Sequence, residues 1–408
     1  MIKIDCEGLS PEIIEKCLAD SIKDKKLKKV LLIPPDITRA NSGAGMITSI
    51  YYKLLDGAHV DILPATGTHT PMTREEQISF FGEDIPAERY LIHDWRGGVT
   101  KIGEVPADFI CDISDGVMNE PFDVEISDYI LDLSYDLILS IGQVVPHEVA
   151  GMANYTKNIA IGCGGSNFIS SSHILGAFYG MERIMGRDNT PVRKVFDYVQ
   201  ENFLSRLPVI YIMTVIDKNK IIGLFIDKGR GGFTQAATLS RKYNINYVKP
   251  AFKTCVVWLD EREFKSAWLG NKAIYRTRMA MADGGRLIIL APGVKMFGED
   301  NKTDELIRRY GYTGRKNIIR LCKTEPDLKD NLSAAAHLIH GSSDGRFKII
   351  YAAKYLTEEE VEGVGFEYML FDEAVKKYNP ETLREGYNLL SDEEIYFISN
   401  PALGLWSL

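Results

Sequence analysis

The sequence predicts an α/β protein: two α/β domains with mostly parallel sheets and an active-site cleft between them. Three observations carry this expectation. Short apolar runs alternate with helix-period segments along most of the chain, the pattern of a parallel sheet with helices on its faces. Polar clusters follow three of these runs, where open α/β sheets present their loops. The alternation restarts after residues 243–252, and 408 residues exceed what one core usually holds. The chain therefore divides into an N-terminal domain over residues 1–247 and a C-terminal domain over residues 248–408.

The elements follow in order. "KVLLIPP" (29–35) reads as a buried strand, and "MITSIYYKLLDG" (46–57) as a helix ending at Gly57. "HVDILPATG" (59–67) is the next strand. In "PMTREEQISFFG" (71–82), Thr70 caps a helix, Pro71 sits in its first turn and Gly82 stops it. "RYLIHDW" (89–95) and "DLILSIGQVV" (136–145) are further strands. "PVIYIMTVIDKNKIIGLFID" (208–227) is a hairpin, two apolar runs about the polar "DKNK". "KGRGGFTQAATLSRKY" is a glycine-rich lead into a helix. The second domain reads as strand "TCVVWLD", helix "NKAIYRTRMAMADGG", strand "RLIILAPG", helix "TDELIRRYG" and strand "FKIIYAAK". No internal repeat, low-complexity tract or heptad array interrupts this order.

Composition narrows the function. The chain is 45% hydrophobic and 25% charged, an ordinary soluble balance. A net charge of −8 argues against a nucleic-acid surface. No apolar run approaches the ~20 residues that cross a bilayer, so no membrane partner is expected. The start, "MIKIDCEGLSPE", lacks a basic region followed by an apolar one, so no secretory signal is expected. Six scattered cysteines with no CxxC pair fit free thiols in the cytoplasm. An oligomer is compatible with all of this.

The polar clusters hold the candidate chemistry. "PPDITRANSGAG" (34–45) offers Asp36, Thr38 and Arg39, and reads equally as a capping loop with a surface ion pair. "ATGTHTPMTREE" (65–76) places His69 on a short loop, where a lone histidine is ordinarily exposed or structural. "PHEVAGMANYTKNIAIGCGGSNFISSSH" (146–173) threads His147, Lys157 and His173 through one segment. Imidazoles move protons near neutral pH and hold metals. Two of them at separate strand ends can flank a substrate, as a racemase requires. A partly desolvated lysine can be a nucleophile, and Arg39 can grip a carboxylate or phosphate. GxxxxGK[ST], HExxH and GxSxG are absent, and "GCGGS" lacks the GxGxxG spacing. His59 and His93 read as strand packing or edge residues, His337 and His340 as structural, and Cys163 as a small packing residue.

Together, "DITR", "ATGTH", "GQVVPHEVAGMANYTK" and the later His173 resemble the lactate racemase family, whose members use a nickel-pincer nucleotide. The family pattern has D-x-T-R, then G-x-H, then P-H-x-x-A-G leading to a lysine, then a histidine sixteen residues after it; the order and spacings agree here. The resemblance is close over the N-terminal two-thirds and loose beyond. It implies a pyridinium nucleotide with two sulfur arms and a carbon–nickel bond, joined to Lys157 through a thioamide. His173 would bind the nickel, and Asp36 and Thr38 would hold the nucleotide. His69 and His147 would be the acid–base groups, with Arg39 orienting a 2-hydroxy acid substrate on its way through a 2-keto intermediate. Enzymes that make the cofactor are implied partners.

Two departures stand out. Where the family has F-S-G-G before the lysine, this chain has Met152, Ala153, Asn154 and Tyr155. Where lactate racemases have Y-Q-x-x-K, this chain has "YRTRM": Tyr275 is kept, Arg276 replaces Gln and Met279 replaces Lys. Tyr275, Arg276, Arg278 and Lys295 are the candidate substrate binders, and the substrate is expected to be a dicarboxylic or sugar acid rather than lactate. Two other readings compete. One is a divalent-metal lyase or hydrolase with His69, His147 and His173 as ligands, which gives Lys157 no role. The other is a non-catalytic nucleotide- or acid-binding relative.

Overall fold

The computed structural model describes residues 1–391 and 393–408. They form two compact units, one of residues 1–176 and 183–244, the other of residues 177–182 and 245–408. Both are α/β with mostly parallel sheets.

The first unit is built on a six-stranded sheet. Its strands lie in the order Ile2–Ile4, Lys220–Asp227, Val209–Asp217, Leu137–Gln143, Lys29–Ile33, His59–Ile62. The first two pairings are antiparallel and the other three parallel. The central parallel strands are buried on both faces, which explains why they read as continuous apolar runs. Period-two alternation then divides their side chains between two cores. Leu31 and Ile33 point into one, with Phe196 and Phe233 from the helices Pro191–Val199 and Arg230–Asn244. Val30 and Leu32 point into the other, with Ile47 and Tyr51 from the helix Ala44–Leu54. The hairpin forms about Lys218 and Asn219, both at positive φ. Polar residues that tolerate this backbone are what a two-residue hairpin turn needs.

The second unit has its own six-stranded sheet, ordered Glu367–Tyr368, Lys348–Ala353, Met281–Ala291, Phe252–Trp258, Glu394–Ile398, Gly386–Leu389. Only the last pairing is antiparallel. Val256, Ile288, Leu290 and Phe397 pack in its core.

Three expected elements differ. The helix expected over 71–82 starts at Arg74, because Thr73 and Glu76 form a reciprocal capping box that outcompetes a start at Pro71. Residues 89–95 form no strand. Tyr90 makes a single bridge to Ile62, and the chain then turns where Asp94 accepts from the Arg96 and Gly97 amides. The helix expected over 271–285 covers only Lys272–Thr277, and Met281 already begins a strand. Gly284, at φ 74°, suits a break in that run and not a helix interior.

Candidate functional site

In the first unit, the strands Lys29–Ile33 and Leu137–Gln143 are parallel neighbours. The chain leaves the former toward His59–Ile62 on one side and the latter toward Val209–Asp217 on the other. This is a topological switch point, where loops diverge and leave a crevice. A cavity of about 260 Å³ lies there, lined by Asp36, Thr38, Arg39, His69, His147, Lys157 and His173, among others. The structure thus brings together all seven candidate residues of this unit.

The loops are tied to one another. The Gly67 backbone amide donates to the Gly162 carbonyl at 2.8 Å, and the Asn158 side-chain amide donates from Nδ2 to the Ile33 carbonyl at 3.1 Å and the Ser140 hydroxyl at 3.0 Å. Gly162 is required here: a Cβ would stand 2.4 Å from the Asn158 carbonyl oxygen and 2.6 Å from Ala65 Cβ.

Each histidine is set by what its Nδ1 touches. His69 Nδ1 lies 2.6 Å from Asp36 Oδ2. A carboxylate only accepts, so the proton sits on Nδ1 and Nε2 keeps its lone pair. Asp36 is buried and also accepts from the Thr38 amide at 3.1 Å and from the Thr38 hydroxyl. Burial pushes its carboxyl up, but the hydrogen bonds from His69 and Thr38, and the charges of His69 and Arg39, together hold it below the ordinary range.

His147 is the reverse. Its Nδ1 accepts from the Val149 amide at 3.1 Å and the Ala150 amide at 3.4 Å, so the neutral ring carries its proton on Nε2. Burial, then the charges of Lys157, Arg39 and His173, hold its pKa well below the usual histidine value, against an opposing Glu148 carboxylate. His173 donates Nδ1–H to the Ile169 carbonyl at 2.6 Å, leaving the Nε2 lone pair. This is how metal-binding histidines are commonly oriented. Burial also lowers its pKa.

Lys157 is the second residue of the short helix Thr156–Ala160. Burial, and then Arg39 and Arg193, bring its pKa down to about 8. The amine is therefore unprotonated far more often near neutral pH than an ordinary lysine's, and that is the state that attacks electrophiles. Arg39 is exposed, and its guanidinium only grazes the Thr38 oxygens at 3.4 Å. One nucleophilic amine and one imidazole with a directed lone pair form a donor set that fits a covalently held, metal-bearing cofactor. Among the described residues, no three His, Cys, Asp or Glu side chains gather to hold a metal by themselves. The divalent-metal reading required such a group.

Sequence reasoning overlooked Glu148, Asn154 and Asn158, which also line the cavity. Glu148 adjoins His147, but residue order does not say which way a turn side chain faces. Its carboxylate raises the pKa of His147, Lys157 and His173 alike, which places its charge near all three.

The other candidates lie in the second unit. Arg278 is buried and bonds Glu182 at 2.6 Å and Asp344 at 3.2 Å. Its guanidinium is thus engaged within the fold by two carboxylates. Lys295 is exposed and stands 5.0 Å over the Tyr355 ring. Tyr275 lies edge-on to His340, with ring centroids 6.5 Å apart, and Arg276 is half-buried beside it. His337 is stacked on Trp268 at 4.2 Å and bonded to the Tyr312 hydroxyl at 2.9 Å, and burial brings its pKa to about 3. His59 pairs with Asp61, and His93 bonds the Gly164 carbonyl at 3.1 Å, outside any strand.

Known proteins resemble this chain in sequence and in fold. A lactate racemase from Thermoanaerobacterium thermosaccharolyticum is 23% identical over 302 residues, covering 69% of this chain and 65% of that protein. One from Lactiplantibacillus plantarum is 26% identical over 230 residues, covering 52% and 50%. The chain thus spans about two-thirds and one-half of these relatives' lengths. Two solved structures share the fold. A Thermotoga maritima protein matches over the full length of both chains with a TM-score of 0.81 at 23% identity. The lactate racemase apoprotein of T. thermosaccharolyticum matches with a TM-score of 0.72 at 18% identity, over 97% of this chain and 93% of that one. No helix among the described residues is long and apolar enough to cross a membrane. Residues 7–184 match the lactate racemase N-terminal domain, so this part of the chain is similar to that of lactate racemases.

Proposed function

We propose that the protein is a racemase or epimerase of a 2-hydroxy acid that works with the family's nickel-pincer nucleotide. The observation that carries the reading is the convergence, in one cavity, of a lysine with pKa about 8, a histidine with an outward lone pair, and two further histidines in opposite tautomers. When bound, the nucleotide supplies the position that accepts and returns the substrate's C2 hydride. Lys157 would anchor it through its amine, and His173 Nε2 would ligate the nickel.

The remaining work belongs to this chain's own side chains. His69 accepts the hydroxyl proton at Nε2 and returns it, while Asp36 stabilises the imidazolium through Nδ1. His147, neutral with its proton on Nε2, donates a hydrogen bond to the C2 oxygen. The resemblance implied two acid–base histidines, and the hydrogen bonds support unequal roles for them. Thr38 positions Asp36, which leaves less of that carboxylate for a nucleotide. Arg39 orients the substrate carboxylate. Tyr275 and Arg276 remain proposed substrate residues on the resemblance alone.

Glu148 bears on the substrate. Its carboxylate accepts hydrogen bonds from hydroxyl groups and repels a second carboxylate. A sugar acid is therefore favoured over a dicarboxylic acid. The test is to produce the chain with and without the cofactor-making enzymes and follow C2–H exchange on a panel of lactate, dicarboxylic and sugar 2-hydroxy acids. Cofactor-dependent exchange on a sugar acid is expected. Full loading without exchange on any acid would leave the non-catalytic binding reading standing instead.

A further inference from the structure

The "MANY" segment, where this chain departs from the family's glycines, has a physical consequence. Asn154 and Tyr155 both stand at positive φ, 70° and 59°. This is backbone that glycine adopts freely and tyrosine does not. Tyr155 is also the residue from which the Lys157 helix starts, and no side chain caps it there. The direction in which Lys157 leaves the turn therefore depends on whatever holds these two residues in place.

Arg193 bonds this segment directly. It is fully buried on the helix Pro191–Val199, and its Nη2 donates to the Met152 carbonyl at 2.7 Å and the Asn154 carbonyl at 3.3 Å. The guanidinium lies 4.3 Å over the Phe233 ring, and that ring stacks on Tyr155 at 5.4 Å. Tyr155 also packs on Tyr211 at 4.5 Å. Met152 pairs with Pro146 in the small hairpin that carries His147. One side chain thus ties the His147 hairpin to the turn that feeds Lys157. The arrangement is costly: Nε and Nη1 of Arg193 are buried without hydrogen-bond partners. Better-satisfied side chains are available for a helix that only packs.

We propose that Arg193 is a positioning residue: by clamping the Met152 and Asn154 carbonyls it keeps a non-glycine turn in a glycine-like conformation, and so fixes the Lys157 amine in the cavity. This rests on Lys157 as the anchoring amine, but it is tested in the apoprotein and needs no cofactor, so its failure is separable from failure of the functional reading.

The measurement is trace acetylation of Lys157 by acetic anhydride across pH, read by peptide mass spectrometry against exposed Lys3, with thermal unfolding followed in parallel. Arg193→Met is expected to slow Lys157 acetylation at pH 7.5 at least fivefold relative to Lys3. Adding Asn154→Gly to that variant is expected to restore at least half of the lost rate. Glycine relieves the turn without restoring the charge, so recovery separates positioning from a through-space effect. An unchanged rate in folded Arg193→Met, or no recovery in the folded double variant, overturns the proposal. Where Arg193→Met does not fold, Arg193→Lys carries the test: its ammonium keeps the charge but not the forked geometry. A fall of at least twofold is expected there, and no change overturns the proposal.

Discussion

The two units treat similar side chains in opposite ways. In the first unit, His69, His147 and His173 each use Nδ1 on the protein and turn Nε2 to other uses. In the second, His337 is closed into a stack with Trp268, and Arg278 is closed between Glu182 and Asp344. All five residues are polar, and sequence alone marked four of them as candidates for chemistry. What separates them is whether hydrogen-bonding capacity remains after folding. Groups beside the ends of parallel strands keep some, because the diverging loops leave a crevice. Groups between packed elements must satisfy themselves internally or destabilise the fold.

The contrast can be broken experimentally. The largest expected effect is at Lys157, the proposed cofactor anchor. Lys157→Ala, coproduced with the cofactor-making enzymes, is expected to lose the whole nucleotide adduct by intact mass; an adduct retained on that variant would sink the assignment. Next is the base. His69→Gln is expected to lower kcat roughly 10²–10⁴-fold while adduct mass and thermal midpoint hold. Loss of folding together with activity would assign it a structural role like that of His337.

Smaller effects lie on the other side of the comparison. Arg278→Met leaves Glu182 and Asp344 without their cation. Isolated buried charges cost more, but both partners stay partly in water, so about 2 kcal/mol of stability is expected to be lost in urea unfolding. Arg39→Met is expected to leave stability within about 0.5 kcal/mol of wild type, as exposed positions usually do, and to raise KM for the acid. If the two arginines exchange these behaviours, the contrast between the units fails. The finest measurement is the pH profile of Lys157. A protonated amine is inert, so its acetylation should rise through about pH 8, while surface lysines titrate near ~10.4. A midpoint at the ordinary lysine value would show that the amine is not desolvated.

Much of this was legible in the residues. The apolar runs at 29–33 and 137–143 marked the central strands, because burial on both faces removes polar alternation. The hairpin over 209–227 was legible from its polar turn. The helix start at Arg74 was not, because two caps competed within four residues and reciprocal bonding decided between them. Glu148 and Arg193 were overlooked for a related reason. The first depends on the facing of a turn side chain, and the second acts across 39 residues of chain.

What the sequence determined by itself was the inventory and its order: a lysine, three histidines and an aspartate–threonine–arginine cluster at the ends of predicted strands, with the spacing of a known family. Those are properties of local pattern, and local pattern survives in one dimension. Tertiary structure alone decided the state of each group. The tautomers of His69 and His147 follow from an aspartate 33 residues away and from backbone amides of a turn. The fate of Arg278 follows from carboxylates 96 and 66 residues distant. The backbone of "MANY" follows from a buried guanidinium on a later helix. Proton position, charge and backbone strain depend on neighbours in space, and folding is what selects those neighbours.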